Sequence, residues 1–271
     1  MTQPPSIQST KTPSGITTII INQPHRRNAI DGPAAQKLTS AFLDFEADAS
    51  QKVCVFHGAN GTFCAGFDLH EVAKYEPRAQ SQEESIVSPQ DCDNSGDKYS
   101  GPIMSPHNRV QGRNTGPIGP SRMTITKPVI AAISGHAVAD GLELSLLADI
   151  RVVEEDATFG VFNRRFGVPL IDSGTVRLQA IIGLGRALDM IITGRPVGAT
   201  EALSMGLANR VVPRGTGVEE AMGIARRIVD FPQACLNVDR ASCYYAAFEA
   251  KSFESALAVE FERGVRVLGE G

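Results

Sequence analysis

The sequence predicts an α/β protein, and three observations carry that expectation. Short β-branched apolar runs alternate with longer stretches of helical periodicity. A strand, strand, helix order recurs along the first part of the chain. Two of the strands also run into glycine-containing turns that open helices, at residues 58–69 and 134–149.

Taken in order, residues 16–21 (ITTIII) read as a strand, and residues 22–29 leave it as a polar, cationic turn. Leu38, Ala41, Phe42 and Phe45 fall at helical spacing within residues 33–47, with Asp31 as N-cap and Pro33 in the first turn. Residues 53–56 form a second strand that enters the first glycine-bearing segment. Residues 76–120 then turn rich in Ser, Pro, Gly, Gln, Asn and Asp. A loop of that length and composition predicts a mobile insertion beside the functional site.

The apolar pattern resumes with a buried strand at residues 128–133, followed by the second strand–turn–helix segment and a strand at 150–153. Residues 158–162 are short and apolar, and 163–172 form a loop holding Arg164, Arg165 and Asp172. Helices follow at 176–182 and 184–193, interrupted at Gly183 and Gly185, and a further helix at 199–205 ends at Gly206. After an extended piece at 211–213, residues 218–230, 233–250 and 252–268 are helical. The expected organisation is a core over residues 1–200, carrying the insertion, and a helical region over 201–271.

Composition narrows the function classes. The chain has 271 residues, 42% of them hydrophobic, and a formal net charge of −4. Its isoelectric point near 5.8 gives no global reason to expect nucleic acid as a partner. Five cysteines without a C-x-x-C pair predict reduced thiols and no metal cluster. The N-terminal residues lack the apolar stretch of a secretory signal, and no apolar run reaches the ~18 residues of a membrane span. A soluble cytoplasmic protein without a membrane partner is the expectation.

The chemistry concentrates in S-G-H-A-V-A-D-G-L-E-L-S-L-L-A-D, residues 134–149. A strand ending in small residues and opening a helix leaves backbone N–H groups aimed at one place, where the helix dipole also favours negative charge. Ala65–Asp68 forms a second such junction beside Cys64, a cysteine expected to be a small buried thiol. Two N–H groups converging on one oxygen make an oxyanion hole, each worth roughly 3 kcal/mol to a transition state with charge on that oxygen. Glu143 sits in the first turn of the second helix, where its carboxylate can serve that site or merely offset the dipole.

These residues resemble the enoyl-CoA hydratase/isomerase (crotonase) superfamily. The likeness rests on F-C-A-G-F-D-L at 63–69 and on the 134–149 segment, and it extends through R-N-A at 27–29 and T-F-G at 158–160. It continues in G-T-V-R-L at 174–178 and in residues 193–213. The resemblance implies a ββα spiral core with a C-terminal helical trimerisation region, a homotrimer or dimer of trimers, and an acyl-CoA thioester substrate. It implies no cofactor and no metal, because CoA arrives with the substrate. It gives the backbone N–H groups of Phe67 and Asp140 as oxyanion donors and Glu143 as general acid/base. Arg26, Asn28, Ala29, Ala65, Gly66, Asp68, Leu69, Gly141 and Asn163 would line the path of the substrate and its CoA.

The pattern also departs from a hydratase in ways that matter chemically. Hydration of a 2-enoyl thioester calls for a base and an acid, typically two carboxylates. The second family glutamate falls on Asn163, whose amide exchanges no proton at neutral pH. Asp172 is the natural substitute, or alternatively the N-cap of the helix beginning at Ser173. Asp140 stands where the family usually has glycine, and a carboxylate turned outward as a helix cap would leave its N–H usable. Arg164 and Arg165 are expected in structural salt bridges, and His136 as a packing residue. The expected activity is 2-enoyl-CoA hydration, with double-bond isomerisation or non-catalytic acyl-CoA binding as the alternatives.

Overall fold

A computed structural model describes residues 4–68, 70 and 115–269. Most of the 76–120 insertion lies outside the described residues, and so does Leu69.

The main sheet has six strands. In chain order they are β1 (Ile7–Lys11), β2 (Ile16–Ile21), β3 (Val53–Gly58), β4 (Val129–Ile133), β6 (Ile150–Glu154) and β9 (Arg210–Val212), and they lie side by side in that order. β1 pairs antiparallel with β2, with Ile7 opposite Ile21. Every later pairing is parallel. β1 has no counterpart in the sequence reading, since its I-Q-S-T-K carries only one buried apolar residue.

The central strands read as continuous apolar runs because both of their faces are covered. One face carries Ile19, Ile21, Cys54, Phe56, Ala131 and Val153 against helix α1 (Gly32–Ala47), through Leu38, Phe42 and Phe45. On the other, Ile16, Val53, Val55 and Ile130 meet helix α6 (Gly217–Val229) at Ala221, Ile224 and Ala225. The cap predicted for α1 is present, with the Asp31 carboxylate accepting the Ala34 N–H at 2.9 Å. Phe42, Phe56 and Phe63 pack edge to face, 5.3 and 5.2 Å between centroids, which ties the helix through the sheet to the first glycine junction.

A second, three-stranded sheet comprises β5 (His136–Val138), β7 (Thr158–Gly160) and β8 (Val197–Gly198). β5 grows out of what the sequence suggested was only a small-residue turn. Its first residue, His136, is exposed and not a packing residue. Helix α2 (Asp140–Ser145) follows, with all six of its residues buried.

The remaining helices are α3 (Gly174–Ile182), α4 (Leu184–Thr193), α5 (Ala199–Ser204), α7 (Gln233–Phe248) and α8 (Phe253–Gly269). Arg240 of α7 donates to the Asp149 carboxylate at 2.8 Å and to the Ile125 carbonyl at 2.7 Å, fastening the helical region to the core. No described helix is long and apolar enough to cross a membrane.

Candidate active site

The site lies where two chain segments run alongside each other. Residues 27–30 pair with 65–68, through Ala65 N–H to Arg27 carbonyl at 3.1 Å and Asp68 N–H to Ile30 carbonyl at 2.9 Å. Cys64 bridges to β5, its N–H on the His136 carbonyl and its carbonyl accepting from Val138. The two junctions read from the sequence are therefore neighbours, with Phe67 beside Asp140. Two glycines allow the approach. A Cβ on Gly141 would lie 2.1 Å from the Cys64 carbonyl oxygen, and Gly66 has φ +101° with Ala139 Cβ 3.0 Å from where its own would be. Ala139, just before α2, holds φ 53°, a strained conformation for a residue with a side chain.

Asp140 points inward. Its Oδ2 accepts the Phe67 backbone N–H at 3.0 Å, which corrects the expectation of an outward-turned cap. Burial of the Asp140 side chain favours this contact, since the Phe67 N–H is a donor within reach. One of the two anticipated oxyanion donors is thus occupied by a carboxylate of the chain itself.

Glu143 and Asp172 are fully buried. Glu143 Oε1 accepts the backbone N–H groups of Asp172 at 2.9 Å and Gly174 at 2.6 Å, while Oε2 has no partner. Asp172 Oδ1 accepts the Ser121 hydroxyl and the Ile118 N–H, and Oδ2 has no partner. Asp172 does not cap α3, whose N-cap is Ser173. Its partners sit at the end of the long insertion, where Gly116 and Gly119 exchange backbone hydrogen bonds in a tight turn. A Cβ on Gly116 would fall 2.0 Å from Asp172 Oδ1, so glycine is what lets this turn close over the carboxylate. Nothing in the sequence linked Ser121 or Ile118 to Asp172, because 51 and 54 residues separate them.

Electrostatically the site favours protons. Burial, then the Asp140 and Asp172 carboxylates, hold Glu143 well above the ordinary carboxylate range. Burial and Asp140 push Asp172 up to about 7, against the opposing hydrogen bond from Ser121. Burial likewise raises the Cys64 thiol to about 12, which fits the small buried thiol anticipated there.

A cavity of about 160 Å³ opens at this point, lined by Phe67, Phe162 and Ile171 and by the polar Asp140, Asn163 and Asp172. Ala65 also borders it. Glu143 does not, and lies behind the wall that Asp140 and Asp172 form. Asn163 is buried, and neither its amide oxygen nor its nitrogen has a partner.

Of the other residues expected along a CoA path, several hold one another in place. Arg26 pairs with the Asp68 carboxylate. Asn28 is a turn clamp with φ 57°, accepting the Gln23 N–H at 2.8 Å and donating to the Ala59 and Thr62 carbonyls. Ala29 donates to the Arg26 carbonyl. None of these three, nor Asp68, Gly66 or Gly141, lines the cavity. Arg164 donates to the Ile191 carbonyl, and Arg165 lies over the Phe162 ring at 4.3 Å, where salt bridges were expected.

The family model for enoyl-CoA hydratase/isomerase matches residues 11–91 and 121–261. The chain belongs to this family. The resemblance to the crotonase superfamily carried by residues 63–69 and 134–149 is therefore correct. Among its relatives, an enoyl-CoA hydratase of Mycobacterium tuberculosis, EchA19, is 32% identical over 215 residues, covering 79% of this chain and 71% of the relative. A carnitinyl-CoA dehydratase of Proteus mirabilis is 30% identical over 220 residues, covering 81% and 71%. A crystal structure of an enoyl-CoA hydratase from M. tuberculosis superposes with a TM-score of 0.80 at 25% identity, covering 98% of this chain and 91% of that one. This member of the enoyl-CoA hydratase/isomerase family is an enzyme of the α/β class.

Proposed function

We propose that this enzyme adds water across the double bond of a 2-enoyl-CoA thioester. The observation that carries the reading is the pairing of Glu143 and Asp172, two buried carboxylates that each keep one oxygen free, with Asp172 on the cavity wall. Their protonation suits the two halves of hydration. Asp172, titrating near neutrality, is the base that takes a proton from water as the water oxygen bonds to C3. Glu143, held protonated by burial and its neighbours behind the Asp140–Asp172 wall, supplies the proton that C2 takes up once the Asp140 side chain moves aside to open that wall. Charge that develops on the thioester oxygen meets the Phe67 N–H once the Asp140 carboxylate gives it up. Exposed Phe253, Leu257, Phe261, Val265 and Leu268 on α8, a helix with no buried residue, support assembly as a homotrimer or a dimer of trimers.

Isomerisation of a 3-enoyl-CoA is the second reading. It is favoured by Asn163, which places a group that cannot exchange protons on the cavity wall. The test is an assay of the purified enzyme with 2-enoyl-CoA and 3-enoyl-CoA substrates of short and medium length. Loss of the conjugated thioester absorbance from the 2-enoyl substrates, dependent on Asp172, supports hydration. A gain of that absorbance from the 3-enoyl substrates assigns isomerisation. Binding of acyl-CoA without turnover of either would leave a non-catalytic binder.

A further inference from the structure

We propose that Ser121 is a positioning residue for hydration, holding the Asp172 carboxylate by Oδ1 so that Oδ2 is the oxygen that takes the proton from water. The inference rests on the hydration reading and gives its base a partner. Ser121 is fully buried, and its hydroxyl donates to Asp172 Oδ1, which also accepts the Ile118 N–H at 3.4 Å. Two donors occupy the lone pairs of Oδ1, whereas Oδ2 has no partner and is the oxygen left to take a proton. Asp172 itself lines the cavity.

The hydroxyl is aimed by the backbone that carries it. Ser121 lies in a single 3-10 turn, Pro120–Arg122, which two further bonds stitch to the loop before α3. Ser173 Oγ donates to the Ser121 carbonyl at 3.0 Å, and Arg122 Nε donates to the Ile171 carbonyl at 2.8 Å. Residues 171, 172 and 173 are thus each tied to residue 121 or 122. The turn is seated on α1, because a Cβ on Gly119 would fall 2.6 Å from the Ala35 carbonyl oxygen. A Cβ on Gly116 would run into both Asp172 Oδ1 and Ser121 Oγ, so glycine there keeps hydroxyl and carboxylate together. A base held by a donor that is itself locked by packing is what precise placement requires.

The same bond bears on the charge that Asp172 carries. Burial and the Asp140 carboxylate of α2 favour the neutral acid, whereas the Ser121 hydroxyl favours the carboxylate. The other charged groups facing it among the described residues are Glu143 of α2, which burial holds protonated, and Arg122, a weaker pull toward ionisation. A base must be ionised at its working pH, and one matched to neutrality serves best. Ser121 therefore keeps Asp172 from holding its proton through the neutral range. No proton leaves Ser121. As the water oxygen bonds to C3, its proton passes to Asp172 Oδ2, Ser121 keeps its own hydrogen on Oδ1, and C2 takes the proton of Glu143.

The test is the pH profile of kcat/KM on 2-enoyl-CoA for the full chain and for Ser121→Ala. The acid limb, set by Asp172 near pH 7 in the wild type, should move up by about one pH unit, the size expected for losing a hydrogen bond to a charged group. At pH 7 kcat should fall roughly tenfold with KM nearly unchanged. The Asp172 titration, followed by NMR of carboxyl-labelled aspartate and assigned by its absence from Asp172→Asn, should shift by the same amount. Circular dichroism checks folding. If Ser121→Ala is unfolded, Ser121→Cys, a weaker donor, decides by a smaller shift in the same direction. An acid limb and an Asp172 resonance that stay in place in the folded variant would overturn the proposal, leaving Ser121 structural and hydration untouched. A wild-type protein that turns over no 2-enoyl-CoA would overturn hydration and this role together, wherever Asp172 titrates.

Discussion

The Asp140 carboxylate accepts the backbone N–H of Phe67 at 3.0 Å, so the chain supplies an anion to the donor that the proposed reaction needs for the thioester oxygen. Asp140→Gly removes that anion and frees the donor. This variant should raise kcat/KM on 2-enoyl-CoA at least tenfold, since one oxyanion donor is worth about 3 kcal/mol. Steady-state rates of both proteins, compared at one pH, measure it. An unchanged or lower kcat/KM would mean that Phe67 N–H is not used.

Glu143→Gln keeps an oxygen for the Asp172 and Gly174 N–H groups but removes the transferable proton. It should lower kcat about a thousandfold, within the usual range for loss of an acid or base, without lowering the unfolding midpoint. A loss of stability as large as the loss of rate would make Glu143 a structural residue.

Gly174 has room for no side chain, because a Cβ there would sit 2.7 Å from the Cγ and Oε1 of Glu143. Gly174→Ala should cost roughly 1–3 kcal/mol in urea unfolding and push Glu143 off its two N–H groups, lowering kcat as well. Full activity in Gly174→Ala would show that Glu143 can move freely.

The raised Asp172 group makes stability depend on pH, with a definite sign. The unfolded chain releases this proton near pH 4, whereas the folded chain holds it until about pH 7. The folded state thus binds the extra proton between those values, and stability falls as pH rises through that window, then levels off. The Asp172→Asn variant should escape this part of the loss. Its unfolding free energy relative to wild type should improve by a few kcal/mol from pH 4 to pH 7. Parallel curves for the two proteins would place the Asp172 titration at its ordinary value.

Much of this was legible in the sequence for reasons that lie along the chain. The period-2 and continuous apolar runs of β2, β3 and β4, the Asp31 cap of α1, and the two glycine junctions are local patterns, and local sterics and hydrogen bonding decide them. So is the type of each candidate residue, including the substitution of an amide at Asn163 and a carboxylate at Asp140. The strand β5 escaped notice because three residues carry too little periodicity to stand apart from a turn.

What the tertiary structure alone decided is direction and company. Asp140 turns inward because a donor from residue 67 lies within reach there, a pairing of positions 73 apart. Asp172 became a site residue and not a helix cap because Ser121 and Ile118 arrive from a turn that only Gly116 allows to close. Glu143 stands behind the cavity wall because every residue of its short helix is buried. Composition and spacing fix which groups a chain owns. Packing fixes which of them share a buried volume, and in that volume desolvation and mutual repulsion set the charge each one carries.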